Sequence, residues 1–342
     1  MLRIVYAGSP EISSIPLKNL LQDGSHKIVA VLTNPPSSKG RHGTLVPTPV
    51  ETVAREYNET VCVKTSGSSI EILTPEHLDS EVRSKIALLK PDILVCFAYG
   101  KIFGPKFMEL FPLGGINLHP SLLPKYRGCA PVPASILNMD EKTGFTIQRI
   151  VQEMDAGNIL LQTCFNIEKT DNSETILNKA ANEGAGLFLK ALESIENGTA
   201  SQIEREQDST QATYCRLLEK EDGKIDWNES ALKIDAKIRS FYPWPGAFSS
   251  VNGLMLKIHR ACVYDIELEN SVRGVASAQV ATFAKSNIPG SVIGKDKKFG
   301  ILVQTGNGIL ALQNIQLEGK KALEWQDFLN GNKDFIGSRC GT

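Results

Sequence analysis

Asn117 and His119 stand two positions apart at the end of an apolar run, within GGINLHPSLLPKYRGCAP, residues 114–131. If that run is a strand, the two side chains leave the same face, so an amide and an imidazole converge on one point. Such a pair suits acyl transfer. The Asn117 carboxamide can donate to a carbonyl oxygen that is becoming an oxyanion, a contact worth about 3 to 4 kcal/mol of barrier in enzymes that use one. A histidine such as His119 can take or give a proton during the reaction. Pro120, Pro124 and the Leu122-Leu123 pair stiffen the loop behind them, which matters because small misplacements of reacting groups are costly. Alone, a histidine at a strand end is more often a capped or surface residue. Ser121 with His119 as its base is a rival nucleophilic reading, although residues two apart on a loop reach each other poorly and no GxSxG elbow surrounds this serine.

A third candidate is Asp155, in EMDAGNIL, residues 153–160. An acid there could orient His119 and keep the ring receptive to a proton. The alternative is a turn residue ahead of Ala156 and Gly157.

The elements that must position these groups are legible as alternating β-branched runs and amphipathic stretches, the pattern of a parallel sheet covered by helices. Strands are expected at 2–7, 27–33, 91–97, 114–118, 146–151 and 159–167, and helices at 11–22, 48–57, 80–89 and 173–195. In open parallel sheets ligands bind beyond the carboxyl ends of the strands, which is where FAYGK (97–101) and residues 117–131 fall. NPPSSKGRHGTLVPTP (34–49), with four prolines and a basic KGR, reads as a long exposed loop without regular structure. Residues 1–200 are thus expected to form a Rossmann-like α/β domain, 201–214 a polar linker, and 215–335 a smaller OB-like β-barrel built from short strands near 255–263, 290–293, 300–305 and 308–315.

A chain of 342 residues with 22% charged residues fits two ordinary cores and excludes the disordered and fibrous classes. No signal-like segment or long apolar run indicates secretion or a membrane. Seven cysteines scattered without a CxxC pair suggest reduced thiols in a cytoplasm and no structural zinc. The net charge of −1 divides into +3 for residues 209–342 and −4 for the rest, a weak asymmetry compatible with an RNA-binding surface.

In combination the motifs are more specific. AGSP (7–10), KGR (39–41), FAYGKI (97–102), INLHPSLLPKYRG (116–128), MDAGNIL (154–160), DGKIDW (222–227), IRSFYPWPGAF (238–248) and LQNIQLEGKKALEWQDFLNG (312–331) together resemble the methionyl-tRNA formyltransferases over nearly the whole chain. The N-terminal motifs are shared by a wider set of enzymes that use 10-formyltetrahydrofolate, so they bear on the chemistry more than on the acceptor. The resemblance implies a catalytic trio of Asn117, His119 and Asp155. In it the α-amino group of the esterified methionine attacks the formyl carbon, Asn117 holds the oxyanion, His119 assists proton transfer and Asp155 orients the ring. It also implies a folate site formed by Phe97, Ala98, Tyr99, Gly100, Ser121, Leu122, Leu123 and Pro124, with no metal. Initiator methionyl-tRNA would be contacted by Lys39 and Arg41 of the 34–47 loop and by Arg239, near Trp227 and Trp244, in a monomeric cytoplasmic protein. Residues 264–287 read as a lengthened hairpin of no assigned role. Rival readings are a formyltransferase for a sugar nucleotide or other small amine, and a non-catalytic RNA- or folate-binding module.

Overall fold

The computed structural model of the chain describes residues 1–39, 43–64, 69–264 and 288–341. Arg41 and nearly all of the 264–287 insertion lie outside the described residues. The chain forms two compact units: Met1–Pro131 with Lys142–Asn166 and Thr175–Arg216, and Val132–Glu141 with Ile167–Glu174 and everything from Leu217 on.

The first unit opens with β1 (Arg3–Ala7), α1 (Glu11–Asp23) and β2 (Lys27–Leu32). It continues through β3 (Ser37–Lys39), β4 (Thr44–Val46), α2 (Pro49–Lys64), β5 (Glu71–Leu73) and α3 (Ser80–Leu88). Next come β6 (Ile93–Cys96), α4 (Pro105–Met108), β7 (Gly115–His119) and β8 (Arg127–Gly128). A short helix, α5 (Pro131–Leu137), precedes β9 (Lys142–Arg149) and β10 (Ile159–Asn166). The long α6 (Ser173–Glu196), the single turn α7 (Ala200–Ile203) and β11 (Tyr214–Cys215) follow. The main sheet runs β10-β9-β7-β6-β1-β2-β5. It is parallel from β7 to β5 and antiparallel where β9 joins β7 and β10 joins β9. This is the mostly parallel α/β sheet that the alternation of runs predicts.

Near-continuous apolar strands are what burial on both faces demands. On one face the Tyr6 hydroxyl donates to the Ser13 carbonyl of α1, and Gly184 of α6 sits against Leu118 and Pro16. On the other, Ala7, Leu32, Leu94 and Cys96 join a file of rings, Tyr99, Phe103, Phe107 and Phe111, spaced 5.4 to 5.6 Å between centroids. Asn117 and His119 are on this second face, because Cys96 and Asn117 are partners in register.

Two segments differ from the sequence expectation. The proline-rich stretch 34–49 contains a two-stranded hairpin, with Ser37, Ser38 and Lys39 paired to Val46, Leu45 and Thr44. Prolines 35, 36, 47 and 49 flank those strands and leave their ladder donors intact. The polar stretch 201–214 is held by backbone pairing, Arg205 with Ile159 and Tyr214 with Arg127, and lies within the first unit.

In the second unit, α8 (Ala231–Ser240) starts at Ser230, whose side chain caps the Lys233 N–H. Then come β12 (Ala247–Val251), β13 (Leu254–Tyr264), β14 (Val292–Asp296), β15 (Gly300–Gln304), β16 (Ile309–Leu317), β17 (Leu323–Glu324) and α9 (Trp325–Gly331). The strands form an antiparallel sheet in the order β12-β13-β16-β15-β14. Its two edges are joined by the C-terminal segment: Cys340 N–H donates to the Gly290 carbonyl at 2.8 Å and Gly341 N–H to the Ser250 carbonyl at 2.8 Å. The arrangement is compatible with an OB-like barrel. Trp227 is a core residue here, 5% exposed, with its indole N–H on the Ser249 hydroxyl at 2.9 Å, whereas Trp244 is 57% exposed.

Close strand approach explains one glycine. A Cβ on Gly144 of β9 would lie 1.8 Å from the Thr163 carbonyl of β10 and 2.6 Å from the Leu122 side chain. Gly144→Ala is expected to force β9 and β10 apart and to lower stability by about 1 to 3 kcal/mol, measured as a fall in the urea midpoint at unchanged m-value.

Candidate active site

Antiparallel pairing of β7 with β9 sets Asn117 opposite Gln148 and His119 opposite Thr146. His119 is 4% exposed. Its Nε2 lies 2.8 Å from the Tyr126 carbonyl oxygen, and its Nδ1 faces Asp155 Oδ1 at 3.5 Å. The ring therefore has an oxygen acceptor on each side, and a proton arriving at either nitrogen meets a partner. Among the described residues the Asn117 carboxamide has no hydrogen-bond partner, so its N–H donors are free for a ligand.

Asp155 is reached by an unusual turn. Its φ of +54° is left-handed, a conformation that Asp tolerates better than most residues. The turn is pressed onto β9: a Cβ on Gly157 would lie 1.9 Å from the Arg149 carbonyl, so only glycine lets the loop come this close. The carboxylate is fixed by Gly128 N–H donating to Oδ2 at 2.8 Å and Gln148 Nε2 donating to Oδ1 at 2.7 Å. Gln207 holds the loop backbone, its Nε2 donating to the carbonyls of Asp155 and Gly157 at 2.7 Å each. Arg127, 3% exposed, in turn donates to Gln207 Oε1 at 3.0 Å, to Glu153 at 3.2 Å and to the Tyr214 hydroxyl at 3.1 Å.

The structure thus brings Asn117, His119 and Asp155 together on one side of the sheet end. Phe97 follows β6 with its N–H on the Ala7 carbonyl, Ala98 and Gly100 adopt φ of +51° and +81°, and Tyr99 is 2% exposed. The Tyr99 hydroxyl is buried and unpartnered among the described residues. Residues 121–124 form the loop after β7, tied to β9 and β10 by Leu123 N–H on Thr146 Oγ1 and by Gln162 on the Leu123 carbonyl. Lys39 ends β3, and Arg41 is outside the described residues. Arg239, in the second unit, donates to Asp235 at 2.8 Å and to the Asp171 carbonyl at 3.0 Å.

Ser121, Cys96 and Cys215 are not prepared as nucleophiles. The Ser121 hydroxyl donates to the Lys125 carbonyl at 2.7 Å. Burial, reinforced by the Asp155 charge, pushes the Cys96 thiol up to about 12; burial chiefly, with Cys129 and Asp155, pushes Cys215 up to about 11. Both are neutral thiols at physiological pH. Among the described residues no group of His, Cys, Asp or Glu is placed to hold a metal ion, and no helix is long and apolar enough to cross a membrane.

Residues 2–192 match the formyl transferase family and residues 217–333 its C-terminal domain. A methionyl-tRNA formyltransferase of Treponema denticola is 42% identical over 335 residues, 98% of both chains. Among solved structures, the sugar 3N-formyl transferase WlaRD, crystallised in the presence of dTDP and 5-N-formyl-THF, shares the fold at 20% identity with a TM-score of 0.60, over 94% of this chain and 99% of that one. HypX from Aquifex aeolicus matches 98% of this chain at 15% identity with a TM-score of 0.61, and this chain spans about half of its length (50%).

The Gln207 clamp yields a test. Gln207→Leu removes the donors to two loop carbonyls, which should cost about 2 kcal/mol of stability and lower turnover by loosening Asp155; urea unfolding and steady-state kinetics on the same preparation measure both.

Proposed function

This chain belongs to the formyl transferase family, and from that premise we propose that Asn117, His119 and Asp155 carry formyl transfer from 10-formyltetrahydrofolate to the α-amino group of an initiator methionyl-tRNA. The observation that carries the reading is the His119 ring set between the Tyr126 carbonyl and the Asp155 carboxylate, with the unpartnered Asn117 carboxamide two positions earlier on the same strand face.

The amine of the acceptor is itself the nucleophile, which agrees with a site holding neither a prepared serine nor a thiolate. The folate supplies the formyl carbon. Asn117 donates to the formyl oxygen as it gains charge. His119 holds the proton that the amine gives up, and Asp155 keeps the ring aimed while it does so. As the new amide forms, the bond from the formyl carbon to folate N10 breaks and N10 gains a proton, so that tetrahydrofolate leaves and no net proton is released. Phe97 to Gly100 and Ser121 to Pro124 hold the folate. The residues present fit such a ligand, because among the described residues the Tyr99 hydroxyl is buried without a partner, and a buried polar group left unpaired costs about 1 to 3 kcal/mol.

The acceptor is read from the end-to-end similarity to methionyl-tRNA formyltransferases and from the KGR loop. Lys39 and Arg41 contact the tRNA from a loop whose base is braced by the β3–β4 hairpin. Scattered free cysteines among the described residues support a reducing, cytoplasmic setting, where the protein acts as a monomer without a metal.

With 10-formyltetrahydrofolate, the purified protein is expected to convert methionyl-initiator tRNA to formylmethionyl-tRNA and to leave nucleotide-linked amino sugars untouched, read by chromatography of the released amino acid or sugar. Asn117→Ala and His119→Ala should each lower turnover by about 100- to 1000-fold or more while folate binding persists. Sugar formylation without formylmethionine would overturn the acceptor, and near-normal turnover in both variants would overturn the site.

A further inference from the structure

Gln148 is buried, 2% exposed, in the middle of the site, and no step of the proposed reaction uses it. Its Cα partner across the β7–β9 ladder is Asn117, so its side chain shares a sheet face with Asn117 and His119. Its Nε2 donates to Asp155 Oδ1 at 2.7 Å, and that same oxygen faces His119 Nδ1 at 3.5 Å. A carboxylate only accepts, so the amide of Gln148 must turn its NH2 toward Asp155 and its oxygen away. That oxygen lies 3.4 Å from Gln207 Nε2, whose two hydrogens already serve the carbonyls of Asp155 and Gly157. The amide is thus committed in one orientation.

The separation of 3.5 Å between His119 and Asp155 is longer than a normal N–H···O bond, while the Gln148 contact is short. In this resting arrangement the oxygen nearest the histidine is held by Gln148 rather than by the ring. From this geometry we infer that Gln148 is a positioning residue for formyl transfer: it fixes the direction of Asp155 Oδ1, so that the His119 Nδ1–H finds its acceptor in place when the ring takes up the proton from the attacking amine. The inference rests on the assignment of Asn117, His119 and Asp155 as the reacting site. It assigns Gln148 no contact with either substrate, so its effect belongs in kcat and not in KM.

Gln148→Met keeps the length of the side chain and removes the donor. With saturating 10-formyltetrahydrofolate and methionyl-tRNA, kcat is expected to fall about 10- to 100-fold, with the KM of each substrate within about twofold of wild type and the thermal midpoint little changed. Gln148→Glu preserves shape and puts an acceptor against Asp155. Its kcat should fall further at neutral pH and rise toward that of Gln148→Met as the pH is lowered, when the carboxyl pair takes up a proton that can bridge its two members. Asp155 and His119 are the titratable groups that face this position; Cys96 and Cys215 lie close enough to feel the Asp155 charge, and Arg127 stands behind Gln207. A protein that needed Gln148 only for folding would lose thermal stability without these two kinetic signatures.

Wild-type kcat in either soluble variant, or a rise in KM that accounts for the whole loss, overturns the inference. Asn117→Ala and His119→Ala are measured beside them. If those variants keep turnover, the site assignment itself has failed; if they lose it while Gln148→Met does not, only the role of Gln148 has.

Discussion

One carboxylate–imidazole contact organises the candidate site: a carboxylate at a left-handed backbone position, aimed at an imidazole that a neighbouring strand has already fixed. His119 is placed by β7, with its far nitrogen on the Tyr126 carbonyl. Asp155 comes from a different connection, the turn between β9 and β10, which leaves β9 beside the start of β7 and folds back over the sheet face to reach the ring. The fold-back of that turn, allowed by Gly157 and held by Gly128 and Gln148, is therefore the feature on which the site depends.

Holding that turn requires polar groups to be buried, and the protein offsets their desolvation by connecting them. Arg127 passes through Gln207 to the backbone of the turn, while Gly128 and Gln148 meet the carboxylate directly. A buried guanidinium stripped of its partners costs about 3 to 5 kcal/mol, so the chain as a whole is poised against any rearrangement that would release Asp155.

Much of this was legible in the sequence, for identifiable reasons. The alternation of apolar runs placed the sheet strands around Asn117 and His119, and a period of two put both side chains on one face. Asp155 was named by resemblance to a family, since nothing local says that a turn nearly forty residues away returns to the histidine. Gln148 and Gln207 were invisible for a related reason. Gln148 has a role only once the β7–β9 register sets it across from Asn117, and Gln207 belongs to a stretch with the composition of a linker, its hold on the turn made across 50 or more residues of sequence. Arg127 and Gly128 lay inside a recognised motif, but their partners are distant in sequence. The hairpin within 34–49 was hidden by its prolines, which mark the ends of the strands rather than forbid them.

The central claim, that the Asp155 charge behind His119 drives the reaction, is tested most directly by the single-turnover rate of Asp155→Asn with formyl donor and methionyl-tRNA both bound. Asparagine keeps the shape of the side chain and an oxygen for the Gly128 N–H, removes the charge, and turns an NH2 toward the Gln148 amide in place of its acceptor. The account predicts an intact fold, retained binding of both substrates and a chemical step slower by about a thousandfold or more. A single-turnover rate within a few-fold of wild type would contradict it.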